Sequence, residues 1–464
     1  MERGFLRGFH PRGPVQKRFL TNVKPLEISG GLLARNTMLN LVAKVVPAGI
    51  AVGAVPFIVH GLGAERFGLL SLAWVAMGYL NIFDLGLGRA TTKYAAEALG
   101  KGKEEAIPRL LWTAVATQGL IGLLGTALAL SMAPLLVRHG LNLRPELLSE
   151  TTSMFHVLAL AVPVVLISGS FSGLLQAAQR FDLVNAVQLP SNAAMLVLPL
   201  IGVALGLGLP GIVALILLSK LAAVLSMAWL VHKRFCILRE FSVQPDLVRR
   251  MLTYGGWVTV AIAVDPLLVY ADRLIVASAV SVEALAYYTV SHEVAIRLLI
   301  VPASLTAALF PSFSSLEGMR DQQRLASLFV RSAKYLLLTL GPIVVMLVLF
   351  AEEFLTLWLG GEFATRGAVV LEILAVGVLA NSIAYIAYAL LQGVGRPDIP
   401  AVLHVAELPI QIAVAWLLVS NWGIAGAAVA WTSRALVDAV LLFAAAFRTR
   451  WVAPRALVAN SVPI

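Results

Sequence analysis

Leu390-Leu391-Gln392-Gly393-Val394-Gly395-Arg396-Pro397-Asp398 is a degenerate copy of Leu174-Leu175-Gln176-Ala177-Ala178-Gln179-Arg180-Phe181-Asp182, half a chain earlier. In each copy an apolar helix end runs into a turn that carries an arginine and then an aspartate. A second echo follows both: Gly208-Leu209-Pro210-Gly211 against Gly423-Ile424-Ala425-Gly426, with Lys220 beyond the first and Arg434 beyond the second. Upstream, Gly63-Ala64-Glu65-Arg66-Phe67-Gly68 aligns more loosely with Ser281-Val282-Glu283-Ala284-Leu285-Ala286. A repeat of this length predicts two halves of like build.

The surrounding sequence says what those halves are made of. Of 464 residues, 59% are hydrophobic and 13% charged, and the mean hydropathy is +0.88. Soluble chains carry about 25% charged residues, so most of this one has lipid as its solvent. Apolar runs of about 20 residues between charged or Gly/Pro breaks mark membrane spans. They fall near 33–60, 67–90, 108–137, 151–177, 183–207, 210–232, 250–278, 284–312, 326–351, 367–393, 399–419 and 423–446. The expected fold is all-α, with about twelve transmembrane helices in two six-helix halves around a central cavity. The halves are 33–236 and 250–447, joined by a cytoplasmic linker at 237–249 and flanked by a basic, disordered tail at 1–32 and a second tail at 448–464.

Orientation follows from lysine and arginine. One set of connections holds Lys93, Lys101, Lys103 and Arg109, then Lys233, Arg234, Arg239, Arg249 and Arg250, then Arg320, Arg324, Arg331 and Lys334. The alternate set holds little beyond Arg66, Arg138, Arg144 and Arg366. The positive-inside rule therefore places both termini in the cytoplasm, which requires an even number of spans. The same scatter of basic residues through short loops explains the net charge of +10 and argues against a nucleic-acid partner. Cys236 is the lone cysteine, so no intramolecular disulfide is expected. The first apolar run is long enough to remain as an uncleaved anchor rather than a signal peptide.

Two parallel halves of even span number are transporter architecture: substrate sits between them and is exposed to each side by rocking. Ionisable residues at bilayer depth cost about 2.5–3.5 kcal/mol each on insertion scales, so they persist where they face partners or water. Asn36, Asn40 and Lys44 share one helix face ahead of Pro47. Asp265 and Asp272 are two turns apart, with Pro266 beside the first. Glu293 precedes Arg297 by four residues, the spacing of an intrahelical pair. His404, Glu407 and Gln411 share a face, as do Arg434 and Asp438. Lys44 and Lys220 have no carboxylate within one turn, so each must meet a group on another helix, with Asp265 and Glu407 as candidates, or an anionic ligand. The expected cationic cavity comprises Lys44, Lys220, Arg297 and Arg434; Asp265, Asp272, Glu293, Glu407 and Asp438 are candidates for ion coupling or charge pairing.

Catalytic signatures such as HExxH, GxSxG or a Walker lysine do not occur, and no Cys/His cluster has metal-ligand spacing. Asp84-Leu85-Gly86-Leu87-Gly88-Arg89 ends an apolar helix rather than following a strand. Its small residues therefore point to close helix packing or a gate, not to a nucleotide fingerprint. No cofactor is expected beyond a proton or sodium gradient.

Gly63-Ala64-Glu65-Arg66-Phe67-Gly68-Leu69, Phe83-Asp84-Leu85-Gly86-Leu87-Gly88-Arg89-Ala90 and Tyr94-Ala95-Ala96-Glu97 resemble the first helices of bacterial polysaccharide flippases of the O-antigen type. Asp272-Arg273-Leu274-Ile275-Val276 with Ala286-Tyr287-Tyr288, and Leu391-Gln392-Gly393-Val394-Gly395-Arg396-Pro397, are similar to later junctions of that family. The family belongs to the multidrug, oligosaccharidyl-lipid and polysaccharide exporter superfamily. The resemblance implies an inner-membrane transporter, not an enzyme, that moves an undecaprenyl-diphosphate-linked oligosaccharide between leaflets. It also implies membrane lipids and polysaccharide polymerase or assembly proteins as partners.

Two other readings stand beside it. A drug or cation antiporter of the same superfamily should have a cavity dominated by carboxylates and aromatics. A membrane glycan polymerase or ligase needs a sizeable outward loop or an acidic catalytic motif, and the longest outward loop, around 138–150, is too short for a domain.

Overall fold

The computed structural model describes residues 30–79, 84–140, 144–235, 241–359 and 361–448. Most of the basic N-terminal tail, the C-terminal tail from 449 onward, and Cys236 lie outside them. The first half holds α1 (Gly30–Tyr79), α2 (Leu87–Gly100), α3 (Ile107–Leu135), α4 (Pro145–Ala159), α5 (Ala161–Ala177), α6 (Phe181–Ala204) and α7 (Leu209–Phe235). The second holds α8 (Pro245–Ala279), α9 (Val282–Arg297), α10 (Ile300–Met319), α11 (Gln322–Leu349), α12 (Ala351–Leu359), α13 (Gly361–Gly393) and α14 (Asp398–Arg448). Nine segments of the described residues are long and apolar enough to cross a bilayer. This is a multi-pass membrane protein.

The helices invert the burial pattern of a soluble protein. Leu120, Leu123, Leu124 and Leu128 of α3 are all exposed, whereas Gln118 and Thr113 on the same helix are buried. Lipid, not water, is the fitting solvent for such a face.

Several boundaries differ from the hydropathy reading. The expected first and second spans share α1, which kinks at Gly63 (φ 78°), and the last two share α14, kinked at Gly423 (φ 57°). The second span was expected to run to residue 90. Instead α1 ends at Tyr79 and α2 restarts at Leu87, after Leu85 (φ 48°) and Gly86 (φ 65°) in left-handed conformation. Asp84 anchors the restart by accepting from the Gly88 amide at 2.9 Å. α2 then continues past the apolar run because Lys93 and Glu97, one turn apart, pair at 2.7 Å and offset each other's charge. The linker expected at 237–249 is already helical from Pro245, with proline at the first turn where its missing N–H costs nothing.

The repeated turns share a backbone. Arg180 N bonds Leu175 O at 2.9 Å and Gln179 N bonds Gln176 O at 2.9 Å; the counterparts, Arg396 N to Leu391 O and Gly395 N to Gln392 O, are 2.8 and 3.0 Å. This is a left-handed helix cap, with φ 57° at Gln179 and φ 82° at Gly395. Each turn is closed by its arginine bonding the aspartate two residues on, Arg180 to Asp182 at 2.9 Å and Arg396 to Asp398 at 3.0 Å. Those hydrogen bonds hold both guanidiniums above their ordinary pKa.

The two halves meet at one end, the end that carries these turns together with Lys93 and Lys101. There α10 packs on α1 and α2, and α8 packs on α2. Small residues allow it: a β-carbon on Gly100 would overlap the Ser315 carbonyl, and one on Gly318 would lie 2.6 Å from the Glu97 carbonyl oxygen. Gly86 and Gly255 touch backbone to backbone, so that a β-carbon on either would overlap the other's segment. Leu87, Ala90 and Ala114 bury with Met251, Tyr254 and Val258 across the boundary.

Gln179 reinforces this seal. Its side chain accepts from Asn36 Nδ2 at 3.0 Å and donates to Ser312 Oγ at 3.0 Å, tying α1 and the first turn to α10 of the other half. Those bonds compensate a left-handed backbone that costs a non-glycine residue about 1–2 kcal/mol. Gln179→Gly keeps the turn and loses only the bonds, whereas Gln179→Ala loses the bonds and keeps the strain. Thermal unfolding in nanodiscs is expected to rank wild type above Gly above Ala, the last two about 1 kcal/mol apart.

Candidate functional site

A cavity of about 490 Å³ lies in the first half, between the Trp74 end of α1, the 84–89 segment, α5, α6 and α7, with Ile262 of α8 at its edge. Two cations line it: Lys220 from α7 and Arg89 from α2. Its neutral polar wall is Ser168 and Ser172 of α5 with Gln188, Ser191 and Asn192 of α6. α6 presents these groups because Asn185, Gln188 and Asn192 fall at i, i+3 and i+7 on one face. Asn185 spends its amide on Asn40 of α1 at 2.9 Å, which leaves the deeper two for the cavity.

Lys220 Nζ bonds only a neutral group, Asn192 Oδ1 at 3.3 Å, and forms no ion pair with a carboxylate among the described residues. Asp265 and Glu407, its candidate partners, are taken by others. A partly buried ammonium without a counter-ion is poorly satisfied, and an anion entering the cavity supplies what the fold does not. Asp84, the one carboxylate among the described residues that line the cavity, is tied down: Gln118 Nε2 and the Gly88 amide both bond it, and Ser170 Oγ bonds Gln118 in turn at 2.5 Å. The net character at the cavity face is therefore cationic.

Of the four basic residues expected to form one cavity, the three with described side chains are not brought together. Lys220 lines it. The Lys44 side chain lies outside the described residues. Arg297 is 78% exposed and pairs with Glu293 at 3.4 Å, the intrahelical arrangement that its spacing predicts. Arg434 lies within the second half, 3.7 Å from Glu407 Oε2 and over the Trp431 ring.

That second half has its own charge cluster, in which His404, Glu407 and Asp438 are buried and Asp265 is half exposed. His404 of α14 stands between two carboxylates, Asp265 Oδ1 of α8 at 2.8 Å and Asp438 Oδ1 at 3.5 Å, with the Tyr388 ring of α13 stacked on it at 5.8 Å. Asp272, two turns from Asp265, bonds the Tyr288 hydroxyl instead. Sequence spacing grouped His404 with Glu407, and Arg434 with Asp438, but the pairing between α8 and α14 is a product of packing.

Arg273 was missed as a charge partner. It donates to Glu293 at 2.8 Å and meets His292 Nδ1 at 3.0 Å. Arg89, grouped by sequence with the packing residues Asp84, Gly86 and Gly88, belongs to the cavity as well. Gly88 does pack closely: a β-carbon there would lie 3.4 Å from the Gly169 carbonyl oxygen.

Residues 33–317 match the family described as polysaccharide biosynthesis protein, and residues 258–417 match MatE. A Shigella flexneri protein named as an O-antigen transporter is 27% identical over 410 residues, covering 88% of this chain and 96% of that one. A Haloferax volcanii protein named as a flippase of low-salt glycan biosynthesis is 24% identical over 422 residues, 88% of this chain and 82% of that one. Among solved structures, a MATE transporter in its bent conformation superposes with a TM-score of 0.80 at 19% identity, covering 93% of this chain and 96% of that one. A transporter of the superfamily from Pyrococcus furiosus gives 0.76 at 18% identity, covering 90% and 95%. At such identities the structural likeness speaks for the fold alone.

Proposed function

This chain belongs to the polysaccharide biosynthesis protein family, and from that premise we propose that it is a flippase for undecaprenyl-diphosphate-linked oligosaccharide, working by alternating access. The observation that carries this reading is the pairing of Lys220 and Arg89 with a serine and amide wall in one cavity. Cations suit a diphosphate, and hydroxyl and amide groups suit sugar hydroxyls, while the polyprenyl tail stays in the bilayer. The protein is a transporter; its family relatives and its fold agree on that.

We place it in the bacterial inner membrane with both termini cytoplasmic. The sealed end then faces the cytoplasm, because the basic connections collect there. We count twelve crossings, taking α1 and α14 as two spans each and joining α2 to the end of α1, α4 to α5, α9 to α10 and α12 to α13. Polymerase or assembly proteins are the natural consumers of the exported repeat unit. The cluster of Asp265, His404, Asp438, Glu407 and Arg434 is the candidate for coupling to a proton or sodium gradient, since it is ionisable, buried except at Asp265, and apart from the cationic cavity.

Complementation tests the reading. Expressed in a flippase-null bacterium, the wild-type chain is expected to restore surface glycan and clear lipid-linked precursor from the cytoplasmic leaflet. Failure across several glycan types, together with raised resistance to cationic drugs, replaces it with the antiporter reading that the MatE match would favour.

A further inference from the structure

Arg89 belongs to both halves of the molecule at once. Its side chain lines the cavity of the first half, and its Nη1 donates across the boundary to Gln392 Oε1 of the second. The acceptor is fixed: Gln392 is 1% exposed, and its backbone carbonyl accepts from the Tyr254 hydroxyl of α8 at 2.9 Å. Arg89 forms no ion pair with a carboxylate among the described residues. The hydrogen bond that holds the cavity's guanidinium at the sealed end is therefore to a neutral amide.

This contact bridges the two halves at the sealed end, so that parting them there would break it. Gln392 leads into the turn at Gly395 and Arg396, which rests on α2 through Lys93, and a β-carbon on Gly395 would lie 3.0 Å from Lys93 Cε. Parting of the halves would carry that turn away from α2 and leave the guanidinium facing the cavity with its fork of donors free. A diphosphate takes such a fork bidentately and more strongly than a neutral amide does.

We infer that Gln392 and the anionic headgroup of the cargo compete for Arg89, so that closure of the sealed end strips the headgroup from the guanidinium. The inference rests on the transport reading above. Its content is a linkage: a bond made in one state and absent from the other lowers headgroup affinity in the first, and the headgroup in turn disfavours that state. Arg89 thus exchanges partners once per cycle. Cargo would be received with Arg89 free and given up with Arg89 occupied, and Gln392 acts as a positioning residue that never needs to touch the cargo.

The test uses the full chain in nanodiscs, with undecaprenyl diphosphate as the binding probe and a fluorescent polyprenyl diphosphate as the flipping probe in vesicles. Gln392→Ala is expected to tighten binding about three- to tenfold while slowing flipping, because it removes the competitor that releases the headgroup. A merely structural lesion would weaken both. Gln392→Glu, which offers Arg89 a carboxylate, is expected to weaken binding. In an Arg89→Ala background, Gln392→Ala should leave the affinity unchanged. Monodispersity on size exclusion confirms that each variant is folded. Partner exchange is overturned if Gln392→Ala weakens binding or leaves it unchanged, or if its effect persists without Arg89. If the wild type binds no diphosphate, the transport reading itself falls and takes the inference with it, an outcome distinct from binding that ignores Gln392.

Discussion

Lys220→Ala is expected to leave lipid-linked precursor stranded in the cytoplasmic leaflet and to cut surface glycan about ten- to a hundredfold at matched expression. The magnitude is that of one charged hydrogen bond, about 1.5–3 kcal/mol, lost from the bound headgroup. Nothing in the fold depends on the charge: Lys220 makes one bond, to Asn192, and forms no ion pair with a carboxylate among the described residues. The loss should therefore appear in transport and not in thermal stability. Lys220→Arg restores the charge and is expected to recover most of the export, with a change in apparent affinity because a planar fork replaces a point charge. Wild-type export by Lys220→Ala would remove the cationic cavity from the mechanism.

Gly255→Val is expected to abolish export by a different route, with the cavity cations untouched. A β-carbon at this position overlaps the Leu85 carbonyl, and the Gly86 segment opposite is itself backbone in left-handed conformation, so neither side can yield by turning a side chain. Overpacking of this kind costs about 1–3 kcal/mol, and here the cost falls only on the state in which α8 meets the 84–86 segment. The sealed population should drop by about ten- to a hundredfold. With Cys236 replaced by serine, Asn40→Cys and Ser304→Cys report the seal through a short thiol cross-linker, since Asn40 bonds the Ser304 carbonyl at 3.3 Å when it is closed. The Gly255→Val protein should cross-link poorly while remaining monodisperse. Cross-linking at the wild-type level together with wild-type export would show that the backbone contact is not part of the cycle.

Much of the fold was legible because lipid solvation writes itself into long apolar runs, and because the duplicated turns preserve their arginine and aspartate. The second span was misplaced for a related reason. Hydropathy counts Lys93 and Glu97 as breaks, although their pairing lets α2 run on to Gly100. At the site, spacing along one helix was informative: Gln188 and Asn192, on one face with Asn185, line the cavity, a signal present in the sequence and passed over. Relations between helices were not. Arg89 reads as part of a glycine-rich packing motif until α2 is seen against Gln392, and His404 reads as a neighbour of Glu407 until α8 brings Asp265 to it. Arg297 and Arg434, grouped with Lys220 by charge and depth, are separated from it by partners on their own half.

The repeated turns carry different residues at the left-handed position, Gln179 in the first and Gly395 in the second, and the two flanks of the seal differ in their chemistry. One flank is fastened by Asn36, Gln179 and Ser312, a neutral and dry set of bonds; the other by Arg89 on Gln392 and by Lys93 between Glu97 and Glu317. Salt and local anions act on the second flank and scarcely on the first. The duplication thus kept a two-fold frame while dividing its labour between a neutral flank and a charged one.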